Sequence, residues 1–162
     1  MTVIATDGRT IAADSLGTYG SERAPHPVEK LIRKAGRIFA VSGVGIPHVL
    51  VDWFLSGADP EKVPKLGPDV SWGLLVIESD GRMSYLSSIM PYAQPAAPPF
   101  VLGSGGAVAL GAMHAGATPA EAVAIACKVD VYCGGDIVVM HIDGLRDEIA
   151  HRHHVNGGAL VA

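Results

Sequence analysis

Short apolar runs, each ending at a glycine-bearing turn, fill the first half of the chain. Residues 2–6 and 9–13 are β-prone stretches on either side of Asp7-Gly8, a dipeptide suited to hairpin turns. Lys30-Leu31-Ile32 and Arg37 to Val41 predict a second hairpin turning at Ala35-Gly36. Val70 to Ser79 and Arg82 to Leu86 predict a third through Asp80-Gly81. Between the last two, Val49, Leu50, Trp53 and Phe54 recur at helical spacing, which predicts a helix over 48–56. The remaining stretches read as connectors: a polar loop from Gly17 to Pro27, a proline-bearing loop from Gly57 to Pro68, and a Pro/Ala segment from Pro91 to Pro99.

The second half changes period. Phe100-Val101-Leu102 reads as a strand that enters Gly103-Ser104-Gly105-Gly106, and a helix of small residues follows over 107–115. Thr118 with Glu121 three positions later forms a capping box, opening a helix that runs to about Val129. After the loop Asp130 to Gly135 come a strand over 136–142, a further strand around Ile149, and a tail over 155–162. This order predicts an α+β domain, 1–162, of sheets packed with helices in place of regular βαβ alternation.

Composition narrows the class. Hydrophobic residues make up 49% of the chain and charged residues only 17%, with 20 glycines, so a compact core is expected and disorder is not. So little charge for a small domain points to apolar surface buried against other subunits. The net charge of -4 speaks against nucleic acid or an anionic membrane as partner. No apolar run reaches the roughly 18 residues of a spanning helix. No basic segment precedes an apolar one at the start, so a cytoplasmic location is expected rather than secretion. Cys127 and Cys133 fit either a disulfide or free thiols in a reducing compartment.

Chemistry enters at the second residue. Removal of Met1 would leave Thr2 carrying both a hydroxyl nucleophile and an α-amine, whose pKa of ~7.7–8.0 suits a general base at neutral pH. On position alone this is weak, since threonine is common there. Lys30 by itself reads as a solvated strand residue, and Asp14 before Ser15 as a turn carboxylate. The Gly103–Gly106 loop could cradle phosphate, but a dinucleotide fingerprint wants glycine at 108, where Val108 stands, and no Gly-Lys-Ser/Thr follows. His151, His153 and His154 read better as solvent-facing than as metal ligands. Neither metal nor cofactor is expected.

Taken together, these motifs resemble those of proteasome β-type subunits and the HslV peptidase, within the N-terminal-nucleophile hydrolases. Thr2 stands in the nucleophile's place. Ile11-Ala12-Ala13-Asp14-Ser15 matches the family's I-A-A-D-S/G stretch, and Lys30 follows Asp14 at the family's spacing of 16. Ser42-Gly43-Val44-Gly45 is similar to its glycine corner, and Gly103 to Gly106 to its G-S-G-G turn. Asp130-Val131-Tyr132-Cys133-Gly134-Gly135 is similar to D-A-Y-S-G-G, with cysteine replacing serine. The resemblance runs from Thr2 to about Ile142.

It implies a four-layer αββα sandwich and a threonine peptidase without metal or cofactor. Thr2 would attack the peptide carbonyl, with its own amine as base. Asp14 would hold Lys30 charged beside the hydroxyl. The Gly43 N–H would donate to the oxyanion, and Ser104, Asp130 and Cys133 would orient the amine. Ala40, Val41 and Gly45 would wall an apolar substrate pocket. The resemblance also implies a polypeptide substrate, a homo-oligomeric ring and an ATP-dependent unfoldase partner.

Three departures qualify it. Thr2 and Asp14 stand about four residues closer than in the family, a change that preserves side-chain parity because the strand period is 2. Only one helix fits between His48 and Trp72, where the family holds two. Met1, while present, blocks the amine. An amidase for small amides and an inactive scaffold subunit therefore stay open as alternatives.

Overall fold

The computed structural model describes residues 1–144. The strand expected around Ile149, the tail over 155–162, and His151, His153 and His154 lie outside them. The first hairpin joins β1 (Ile4–Thr6) to β2 (Thr10–Asp14). Gly8 takes φ +86° in its turn, and the Asp7 carboxylate accepts from the N–H groups of Arg9 and Thr10 at 2.8 and 2.9 Å. The following loop is not purely irregular. It carries a two-stranded ribbon, β3 (Thr18–Tyr19) with β4 (Glu22–Arg23).

The second hairpin, β5 (Leu31–Lys34) with β6 (Arg37–Ser42), turns where the sequence places it. Ala35 and Gly36 have φ +51° and +72°, the two left-handed residues of a type I′ turn. Lys30 ends the preceding loop just before β5. Helix α1 (His48–Leu55) follows, and then a single 3₁₀ turn at Pro60–Lys62. The buried face of α1 is Leu50, Val51 and Trp53, whereas Val49, expected on it, is exposed. β7 (Gly73–Ile77) and β8 (Met83–Ser87) form the third hairpin. The Pro/Ala connector then supplies an unexpected edge strand, β9 (Gln94–Ala96), whose Pro95 is tolerable because an edge strand can spare an N–H.

β10 (Phe100–Leu102) leads through the glycine turn into α2 (Gly106–His114). Helix α3 (Pro119–Val129) opens on the complete Thr118/Glu121 capping box, and β11 (Ile137–His141) closes the described chain. Two main antiparallel sheets result. One has the order β10-β1-β2-β11, the other β5-β6-β7-β8-β9.

Strand parity decides the packing. Ile4, Ile11 and Ala13 of the first sheet share a core with Leu31, Ile38, Ala40, Leu75 and Ile77 of the second. The alternate residues Val3, Ala5 and Ala12 pack with Ala109, Ala122, Val123 and Ala126 of α2 and α3. On the second sheet, Phe39, Val41 and Val76 pack with Leu50 and Trp53 of α1. Strands covered on both faces have no polar alternation, which is why these runs read as continuously apolar.

Candidate active site

β1 and β2 bring Thr2 and Asp14 to one end of the first sheet, and the loop between β2 and β5 returns Lys30 to the same point. The Lys30 ammonium lies 2.7 Å from Asp14 Oδ1, both side chains almost wholly buried. Its remaining protons go to the carbonyl oxygens of Leu16 at 2.8 Å and Met1 at 3.3 Å. Asp14 also accepts from the backbone N–H of Val3 at 2.9 Å and of Gly134 at 3.0 Å. A buried carboxylate with three donors and a buried ammonium with three acceptors leave no charge unpaired, the condition under which such a pair persists in a core.

The Thr2 hydroxyl donates to the Met1 carbonyl oxygen at 2.7 Å. Hydroxyl and ammonium thus share one acceptor, the Met1 carbonyl oxygen. The Met1 amine donates to Thr18 Oγ1 at 3.4 Å.

The glycine turn after β10 holds Thr2 from behind. Gly103 has φ +88°, and a Cβ there would stand 2.0 Å from the Thr2 carbonyl oxygen. The Gly105 N–H donates to that same oxygen at 3.2 Å. Ser104 reaches Cys133, with Oγ and Sγ 3.8 Å apart, and the Cys133 thiol donates to Asp130 Oδ2 at 3.3 Å. A hydrogen bond from the Ser104 hydroxyl, with smaller help from the Tyr132 N–H and the Cys133 thiol, lowers the Asp130 pKa from its ordinary value. Burial, then the hydrogen bond to Asp130, pushes the Cys133 thiol up to about 12, so it stays protonated. Both cysteines are free thiols.

Gly43 follows β6 with φ +87°, its α-carbon pressed against the Ser71 carbonyl so closely that a Cβ would lie 2.0 Å from that oxygen. It lines a cleft of about 210 Å³ together with Met1, Thr2, Lys30, Val44 and Gly45. The structure therefore brings Thr2, Asp14, Lys30 and Gly43 together, with Ser104, Asp130 and Cys133 grouped beside the turn that holds Thr2.

The three expected wall residues divide. Gly45 lines the cleft, whereas Ala40 lies between the sheets and Val41 under α1, both without access to it. Consecutive residues of a strand covered on both faces point into two different cores. The walls come instead from residues the sequence reading passed over: Leu16, Thr18, Tyr19, Ala24 and Val28. One signal was available. If Asp14 and Lys30 pair, everything between them must form a closed loop beside the pair.

Among the described residues no group of three or more His, Cys, Asp or Glu side chains could hold a metal. No helix there is long and apolar enough to cross a membrane.

No family model matches the chain, and no curated protein does. Solved structures do. BPH from Thiobacillus denitrificans is 23% identical, with a TM-score of 0.66 over 88% of this chain and 98% of that one. The same protein in complex with epoxomicin gives 22% and 0.65, over 88% of this chain and 99% of that one. Eukaryotic HslV from Trypanosoma brucei is 17% identical, with a TM-score of 0.61 over 86% of this chain and 98% of that one. These likenesses cover 86–88% of this chain and, with the packing above, show a proteasome β-type and HslV-like fold.

Proposed function

We propose that this protein is a threonine peptidase that becomes active when Met1 is removed. The observation that carries the reading is the buried Asp14–Lys30 pair, with the Thr2 hydroxyl on the same oxygen as the ammonium. Once Thr2 is the first residue, its amine takes the hydroxyl proton as Oγ attacks the carbonyl carbon of a peptide. The Lys30 charge favours the developing alkoxide and disfavours protonation of the amine. The Gly43 N–H donates to the oxyanion, a contribution of about 2.7–4 kcal/mol in comparable sites. Collapse of the tetrahedral species breaks the C–N bond, the departing amine takes the proton, and an ester on Thr2 remains. Water, deprotonated by the Thr2 α-amine, then attacks the ester, releases the acid and restores the hydroxyl.

The three apolar clusters support a four-layer αββα stack with a single helix between β6 and β7. The low charge and the exposed apolar side chains support a homo-oligomer, as a ring that admits unfolded polypeptide. An ATP-dependent unfoldase would supply such a chamber with unfolded chain, and we propose one as partner, in the cytoplasm.

Intact-mass measurement with and without epoxomicin tests the reading, since the similar Thiobacillus structure was solved with that compound. The expected result is a chain lacking Met1 that gains one inhibitor equivalent, with no gain in Thr2→Ala. A second reading, an inactive scaffold subunit, is favoured by one observation: with Met1 attached, Thr2 has a peptide nitrogen and the free amine sits on Thr18. Met1 retained in natively expressed protein, with no adduct, would decide for the scaffold.

A further inference from the structure

The bond between Met1 and Thr2, whose cleavage the peptidase reading requires, is enclosed by the fold. Met1 itself is 57% exposed, but Thr2 is 3% exposed and Val3 wholly buried. The Met1 carbonyl oxygen, where hydrolysis must begin, accepts from the Thr2 hydroxyl at 2.7 Å and from Lys30 at 3.3 Å. Past the bond the backbone is held on both sides. The Thr2 carbonyl accepts from the Gly105 N–H at 3.2 Å and the Val3 carbonyl from the Asp14 N–H at 3.1 Å, while the Val3 N–H donates to Asp14 Oδ1 at 2.9 Å. β1 then runs between β10 and β2, with Ile4 opposite both Leu102 and Ala13.

An aminopeptidase has to surround the first residue, the scissile carbonyl and the start of the next residue, with a metal-activated water beside that carbonyl. Here the chain it would have to grasp beyond Met1 is an interior strand. Freeing Thr2 and Val3 strips β1 from both neighbours, which is unfolding of the first sheet and not fraying of an end.

We propose that Met1 is removed by a separate, metal-dependent methionine aminopeptidase acting on the unfolded chain, and that closure of the first sheet ends the opportunity. The hydroxide of the activated water joins the Met1 carbonyl carbon, the C–N bond breaks, and the departing nitrogen takes a proton to become the Thr2 α-amine. Excision and folding therefore compete, and a chain that folds first stays blocked. The inference rests on the peptidase reading for its consequence, since it fixes when the nucleophile is unmasked. The geometry that protects the bond is the same in an inactive scaffold.

The test takes the full chain folded with Met1 in place, produced while the host's methionine aminopeptidase is inhibited. It is incubated with purified methionine aminopeptidase and followed by intact mass. Beside it run a peptide of residues 1–8 and a folded chain extended by Met-Ala-Gly-Ser-Gly ahead of Met1. Peptide and extended chain should lose their first methionine readily. The folded chain should lose Met1 at least about 1,000-fold more slowly than the peptide, because cleavage then tracks the unfolded population. Urea at the unfolding midpoint should bring its rate to within about 10-fold of the peptide's in the same urea. Without urea, a rate within about 10-fold of the peptide's, or loss of Met1 with no aminopeptidase added, overturns the proposal. Chains processed while unfolded and then refolded report on the peptidase separately. No epoxomicin adduct on them overturns the peptidase reading and leaves the order of excision and folding standing.

Discussion

Lys30 and Cys133 show how far burial changes what a side chain does. Read alone, Lys30 is a surface lysine. Enclosed, it balances Asp14 and has every proton engaged. Lys30→Ala would leave Asp14 charged and buried with two backbone donors, so a loss of about 3–5 kcal/mol is expected by urea unfolding, together with loss of turnover. Full peptidase rate in that variant would refute the proposed role of the ammonium.

Cys133 stays a thiol for a related reason. Its folded-state pKa is raised to about 12 from an ordinary 9.0, so the fold favours the protonated form. The stability this contributes is present in full below pH 9 and is lost as pH rises toward 12. Denaturant midpoints measured from pH 8 to 11 should fall, and Cys133→Ser should flatten part of that fall while keeping activity. An equally steep decline in Cys133→Ser would show that other groups cause it.

At the scale of elements, the turn joining β10 to α2 does more than connect. Thr2 lies against Gly103 and Gly105, so the position of this proposed nucleophile depends on two residues that carry no side chain. Gly103→Ala puts a methyl group against the Thr2 carbonyl at a φ that disfavours alanine. We expect a loss of about 2–3 kcal/mol in thermal unfolding and little epoxomicin labelling of the folded fraction. Normal labelling would mean the turn is not what positions Thr2. The elements missed from sequence have an equally local explanation. β3, β4 and β9 are two or three residues long and rich in polar residues or proline, too short to show a period.

For the whole molecule, surface composition carries the argument. Ile89 is 89% exposed, Val131 78% and Val129 64%, in a chain with only 17% charged residues. Exposed apolar side chains in this number fit contacts between copies. Light scattering at micromolar concentration should therefore return a multiple of the monomer mass. A monomer would count against the ring and against the confinement of substrate that it implies.

The hairpin turns, the capping box and the order of the site motifs were legible in the sequence, because each depends on residues a few positions apart. Gly36 with Ala35, and Thr118 with Glu121, complete their contacts within one turn. The spacing of Asp14 and Lys30 was legible too, but not their burial or the third anchor. The Gly134 N–H comes to Asp14 from 120 positions away, a contact that no local pattern encodes. Tertiary structure also decided the walls of the cleft. Ala40 and Val41 are apolar, small and near Gly43 in sequence, yet they face two cores on opposite sides of a strand. Ala24 and Val28 reach the cleft because closing Asp14 onto Lys30 folds the intervening loop over it. Residue type and spacing determined which chemistry the chain carries; which side chains surround it followed from closing that loop and covering both faces of the sheet.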